Sequence, residues 1–229
     1  MEKHALRVVC LSDTHGHHRA LDVPPGDLLV HAGDFTKRGT LEQVADFDAF
    51  LGELPHPHKL VVAGNHDFLF ERQPALARAT LRNAIYLEHD FVELAGLRVF
   101  GSPWQPWFHD WAFNLRRGAP LRARWAEVPD ELDLLITHSP PHGVLDRVWD
   151  GERVGCEELR AALPRIRPRA HVFGHIHEAY GMAELAELPG TRFINAANCD
   201  LAYRPAQPPI VFELAPRASV RSCIRPPST

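Results

Sequence analysis

Five short polar clusters, each standing directly behind an apolar run, constrain this chain more than any other feature of its sequence. Asp13-x-His15 follows Arg7 to Leu11, Gly33-Asp34 follows Leu28 to His31, and Gly64-Asn65-His66-Asp67 follows Leu60 to Ala63. Further along, Thr137-His138 closes Leu132 to Thr137, and Gly174-His175-Ile176-His177 follows Ala170 to Phe173. Continuous apolar runs of this length, bounded by turn residues, read as strands buried on both faces. Strand ends in an α/β sheet carry side chains from distant parts of a chain to one edge, where sites are commonly built. The five clusters are therefore expected to converge.

Between the strands, Leu41, Val44, Phe47 and Leu51 fall at helical spacing over Leu41 to Leu54, and Thr40 with Gln43 has the form of a capping box. Weaker helical patterns cover Pro74 to Leu81 and Gly155 to Leu163. Strand and helix alternate through the first half, with Leu97 to Phe100 a further strand, which predicts an α/β protein. The 20 prolines sit at element ends and in the tail rather than in one linker. Residues 1–229 are thus expected to form a single domain, with a short disordered tail at 226–229. Ser102 to Trp125, rich in tryptophan and phenylalanine, is predicted to pack over the core.

No apolar run approaches the roughly 20 residues that a membrane-spanning helix needs. A formal charge of −4 opposes an extended electrostatic grip on nucleic acid. The arginines of Arg116 to Arg124 and Arg160 to Arg169 accordingly read as solvated faces. Cys10, Cys156, Cys199 and Cys223 form neither a metal pair nor a disulfide framework, which points to reduced thiols and a cytoplasmic location. The apolar stretch Val8 to Leu11 is too short for a cleaved leader, so none is expected.

Histidine is the outlier of the composition, at 15 residues against 4 cysteines. Asp13, His15, Asp34, Asn65, His138, His175 and His177 together supply carboxylate, amide and imidazole, a donor set suited to manganese, iron, zinc or a similar divalent metal. Alone, each cluster has an ordinary structural reading as a turn, a helix start, a bend or an exposed pair. Jointly they exceed one tetrahedral site and suit two metals roughly 3.5–4 Å apart, bridged by a carboxylate.

These blocks, D-x-H, G-D, G-N-H-D, H and G-H-x-H in order from Asp13 to His177, resemble the calcineurin-like metallophosphoesterase superfamily. Gly101-Ser102-Pro103-Trp104, His109 to Phe113, Gly155-Cys156, His171 to Gly174 and Phe193 to Ala196 are similar to its MPPED-type branch of class III phosphodiesterases. The resemblance implies a four-layer α-β-β-α sandwich, two mixed sheets flanked by helices, with Arg192 to Asn195 and Ile210 to Leu214 in the second sheet. It implies that Asp13, His15 and His177 hold one metal, that Asn65, His138 and His175 hold another, and that Asp34 bridges. His66 then serves as general acid or transition-state donor. Arg38 falls where a related G-D-x-x-D-R-G version places a phosphate-binding arginine, whereas Lys37 replaces that version's histidine-orienting aspartate, leaving the partner of His66 open. Asn65, His66 and Arg38 are the substrate-binding candidates.

The implied activity is hydrolysis of a small phosphodiester, a cyclic nucleotide among the candidates, by a hydroxide bridging the metals. A phosphomonoesterase or nuclease on the same ligands, or a nucleotide-binding regulator with feeble turnover, is the alternative. Retention of both His175 and His177 favours an enzyme. His17 and His18 are expected to face water, and Trp104, Trp107 and Trp111 to pack rather than stack on a base.

Overall fold

The computed structural model describes residues 4–217, so the expected disorder at 226–229 lies outside the described residues, as does Cys223. In chain order the elements are β1 (Leu6–Leu11), β2 (Leu28–His31), α1 (Leu41–Glu53), β3 (His58–Val61), α2 (Phe68–Arg72), α3 (Pro74–Thr80), β4 (Ile85–Tyr86), β5 (Asp90–Leu94) and β6 (Leu97–Ser102). There follow β7 (Gln105–Pro106), β8 (Asn114–Leu115), α4 (Ala119–Ala126), β9 (Leu134–Thr137), α5 (Glu157–Ile166), β10 (Ala170–Phe173), β11 (Gly181–Glu184), β12 (Arg192–Asn195) and β13 (Ile210–Leu214).

Two sheets carry the architecture, one in the order β13-β1-β2-β3-β4 and the other β11-β12-β10-β9-β6-β5. The inner strands of each pair in parallel, while β13, β11 and β5 run antiparallel at the edges. Strand alternation sorts the side chains by layer. Val8, Cys10, Leu28 and Val30 meet Val99, Leu134, Ile136 and Val172 between the sheets. Val9, Leu11 and Leu29 face outward against Val44, Phe47 and Leu51 of α1 and Phe70 of α2. On the far side, Leu135, Phe173 and Phe193 pack on Leu121 and Trp125 of α4 and on Leu159 and Leu163 of α5. The result is the four-layer α-β-β-α sandwich. Its inner strands β2, β9 and β10 are buried at every position because both faces of each sheet are covered.

One strand sits elsewhere than expected. Arg192 to Asn195 pairs within the second sheet, but Ile210 to Leu214 crosses to the first, where Leu6 opposes Leu214 and Cys10 opposes Ile210. The second sheet's edge beyond β12 is already occupied by β11, whereas β1 has an open side. Docking there also drives Ile210, Phe212 and Leu214 into the core between the sheets. The aromatic segment divides: Phe113 and Trp125 are buried as predicted, but Trp107 and Phe108 are 55% and 51% exposed.

Candidate metal centre

The parallel strands deliver their polar ends to a common edge, and two features staple that edge across the sheets. Ser12, just past β1, bridges to Ala197 beyond β12, and the Asn198 N–H donates to the Ser12 carbonyl at 2.8 Å. Asp13, His15, Asp34 and His175 all adopt left-handed backbone, with φ of 52°, 44°, 55° and 68°. Non-glycine residues rarely occupy that region, and clusters of such residues mark functional sites. Space around them is reserved by glycine: a Cβ on Gly174 would collide with Asp13 Oδ2, and one on Gly64 with Asp34 Oδ1.

Asp34 lies at the centre. Its Oδ2 stands 3.4 Å from His138 Nε2 and 3.9 Å from the Nε2 atoms of both His15 and His66, while its Oδ1 accepts from the His66 N–H at 2.7 Å. On one side, His177 Nε2 approaches Asp13 Oδ1 at 3.3 Å and His15 Nε2 at 3.3 Å. On the other, His138 Nε2 meets Asn65 Oδ1 at 2.9 Å, and His175 completes a donor group with Asp34 and His138. Asp13 with His15 and His177 forms a second such group, and His15, Asp34 and His66 a third. All seven expected ligands are thus brought together, with Asp34 between the two sets.

The donor atoms are prepared for a cation. Nδ1 of His138 pairs with the Ala32 carbonyl and Nδ1 of His177 with the Asp200 carbonyl, both at 2.9 Å, which leaves each Nε2 turned into the centre. Asp13 Oδ1 is buried without a hydrogen-bond partner, an orphaned acceptor that a divalent cation would satisfy. Burial holds His15 and His175 down, to about 4 and about 3, so both present neutral imidazole. His138 and His177 behave oppositely. Burial alone would lower them, but Asp34 and Asp13 respectively outweigh it and raise each to about 9. Despite the cost of burial, these imidazoles hold the carboxyls of Asp13 and Asp34 below the ordinary carboxylate range. A cation entering here would take over the role of those protons.

His66 acquires the partner that the sequence left open: its Nδ1 pairs with the backbone carbonyl of Lys37 at 2.9 Å. A main-chain oxygen thus replaces the carboxylate, and the lysine side chain is not needed for it. Arg38 lines a cavity of about 590 Å³ with Lys37, His15 and His66. A second cavity, of about 500 Å³, contains Asp34, Asn65, His175 and His177 together with Trp107, Phe108 and Trp149. His17 is half-buried, but His18 is buried, contrary to expectation, because its Nε2 bonds Asp46 Oδ2 at 3.1 Å and its ring packs on Phe47 and Phe50. Trp111 packs against His66 with ring centroids 4.1 Å apart.

Two contributors carried little or no sequence signal. Tyr203, from the turn after β12, sets its ring 4.6 Å from that of His15 and 5.7 Å from that of His177. Asp67 closes the Asn65-His66 bend and accepts from the N–H groups of Asp34, Thr36 and Gly64 at 2.9, 3.0 and 2.8 Å and from the Thr36 hydroxyl at 2.7 Å. Its place in the G-N-H-D block was visible; its role of tying two ligand loops together was not.

Comparison with known proteins bears on this centre. A family model described as calcineurin-like phosphoesterase matches residues 6–179. Metallophosphoesterase domain-containing protein 1 of Homo sapiens is 42% identical, over 93% of this chain and 72% of that protein. UPF0046 protein C25E10.12 of Caenorhabditis elegans is 40% identical over 91% of this chain and 81% of its own length. Among solved structures, TT1561 of Thermus thermophilus superposes with a TM-score of 0.57 at 17% identity, over 93% of this chain and 100% of that one, a likeness of fold.

Proposed function

The chain belongs to the calcineurin-like phosphoesterase family, and from that premise we propose that it is a binuclear-metal phosphodiesterase acting on a small phosphodiester. The observation that carries this reading is the position of Asp34, whose Oδ2 stands between His15 on one side and His138 on the other. Asp13, His15 and His177 would hold one divalent ion, Asn65, His138 and His175 the other, and Asp34 both. Manganese, iron and zinc all suit these donors. Such ions, when bound, acidify water and neutralise phosphoryl oxygens.

The protein's own groups divide the remaining work. His66, with Nδ1 fixed by the Lys37 carbonyl, presents Nε2 toward Asp34 and so to the reacting group, where it donates a proton to the departing oxygen. Asn65 orients the phosphate beside it. Arg38 contributes positive charge from the adjoining cavity. Exclusion of bulk water falls to Trp111 and Tyr203, which pack on His66 and His15.

The test is a matrix of metals against substrates on chelated, reconstituted protein. Bis(4-nitrophenyl) phosphate, 4-nitrophenyl phosphate, 2′,3′- and 3′,5′-cyclic nucleotides and single-stranded DNA are each supplied with manganese, iron or zinc. Preferential hydrolysis of small diesters is expected. Monoester preference would make the protein a phosphatase, DNA cleavage a nuclease, and tight nucleotide binding without turnover a regulator.

A further inference from the structure

The two cavities described above open on the metal centre and differ in charge. His66, Trp111 and Tyr203 line both and form a wall between them; the ring centroids of His66 and Trp111 are 4.1 Å apart, and those of His66 and Tyr203 5.9 Å. His15 lies on one side only, and Asp34 with Asn65 on the other, so a phosphate beside Asp34 and His66 has access to both. Each cavity, at about 590 and about 500 Å³, has room for a whole ester arm.

On the first side stand Lys37 and Arg38, exposed, with side chains that form no ion pair or hydrogen bond among the described residues. Elsewhere Arg19, Arg78, Arg153, Arg165 and Arg169 each hold a carboxylate. The one carboxylate lining this cavity is Asp110, so the two free cations outnumber it. The second side has the reverse balance. Besides Asp34, which the metals would claim, it contains Glu152 and Glu178 against one cation, Arg117, whose guanidinium is tied to the carbonyls of Val154 and Gly155 at 2.8 and 2.9 Å. Its lining also includes the aromatic rings of Trp107 and Phe108, and of Trp149 at 81% exposure.

Resting on the phosphodiester reading above, we propose that the substrate is a linear diester that straddles the wall, with a second phosphate on the arm held by Lys37 and Arg38 and an aromatic group on the arm lying along Trp107, Phe108 and Trp149. A cyclic mononucleotide has both ester bonds in one ring on a single nucleoside, so it fills one compartment and leaves the other empty. A guanidinium fork beside an ammonium suits a terminal phosphate, which offers more charge and more free oxygens than a diester.

Binding decides this independently of turnover. With the manganese-loaded protein, calorimetry compares adenosine 3′,5′-bisphosphate with the 3′- and 5′-monophosphates. The bisphosphate is expected to bind about tenfold tighter than either, a charge-assisted contact's worth. Lys37→Ala and Arg38→Ala should each erode that preference and Arg38→Glu abolish it. Asp110→Asn, which removes the opposing charge, should enlarge it, a gain that misfolding cannot mimic. Affinities within twofold of one another, or a preference unchanged in Arg38→Glu, would overturn the proposal. Hydrolysis of ApA, pApA and ApAp supplies the second arm, one phosphorylated form being cleaved about tenfold faster. If bis(4-nitrophenyl) phosphate is cleaved while the terminal phosphate changes neither binding nor rate, this inference alone fails. If no diester is cleaved with any metal, the proposed activity fails, and the bisphosphate preference still decides what Lys37 and Arg38 hold.

Discussion

At the scale of single residues, Asp34 and His66 are separable by experiment although they are in contact. In the proposed centre Asp34 serves both donor sets, so Asp34→Asn, which keeps the shape and removes the charge, should lower affinity for both metals by about 10–100-fold or more, read by elemental analysis after dialysis. The half-buried His17 is the control, and His17→Ala should leave metal content unchanged. Equal loss in the two variants would refute the bridging assignment. His66 is the subtler case, because its Nε2 is as close to Asp34 as that of His15 and it belongs to a donor group of its own. As a proton donor it predicts that His66→Ala retains metal and loses about 100-fold or more in rate on an ester with an alkoxide leaving group. With nitrophenolate, which needs little protonation, the loss should shrink. Metal loss in this variant would make His66 a ligand instead.

Elements matter here through their ends. The loop after β2 supplies Asp34 and the loop after β3 supplies Asn65 and His66, and Asp67 holds the two loops together through Asp34, Thr36 and Gly64. Its carboxyl is fully buried, and burial together with the neighbouring Asp34 charge raises it to about 7. Asp67→Asn would turn an amide NH2 toward two of those donors, leaving buried N–H groups unpaired. We expect a stability loss of about 2–3 kcal/mol, seen as a fall in Tm by scanning calorimetry, together with weaker manganese binding. A normal Tm with weak metal would mean that Asp67 acts on the centre through charge alone. Gly174→Ala tests the loop after β10 in the same way: its Cβ would collide with Asp13 Oδ2, so it should cost metal affinity while the β10 ladder persists.

Across the whole molecule, buried neutral histidines set the acid limit of stability. His31 on β2 and His171 on β10 are fully buried, and burial lowers both to about 3. Each is bonded as the neutral ring: Nδ1 of His31 accepts from the Gly33 N–H at 3.3 Å, and Nε2 of His171 donates to the Thr137 hydroxyl at 2.8 Å. Above about pH 6.5 such a group is neutral in both folded and unfolded chains and adds no pH dependence. Below it, the unfolded chain takes up a proton that the folded chain refuses, so stability falls by up to about 1.4 kcal/mol per pH unit for each histidine. The urea midpoint should therefore drop between pH 6.5 and 4.5, and His171→Leu should flatten that slope by about one proton's worth. An unchanged slope would show that His171 takes up its proton within the fold.

The strands that carry the site and all seven metal-ligand candidates were legible in the residues alone, because a strand buried on both faces must be apolar and a ligand at its end must be polar. Local chemistry also wrote α1: Thr40 Oγ1 accepts from the Gln43 N–H at 3.4 Å, although Gln43 turns its own side chain to the Arg38 N–H rather than completing the box. Edge strands were less legible. β5 and β11 are half-exposed and short, and their pairing depends on neighbours rather than on their own hydrophobicity. That β13 lies on β1 was fixed in three dimensions, since a five-residue apolar strand fits any open edge and which edge is open depends on the rest of the chain. The same holds for the Lys37 carbonyl on His66 and the Tyr203 ring over His15. A main-chain oxygen has no residue type, and a ring brought from the far end of the chain has no spacing, so contacts of this kind leave no pattern to read.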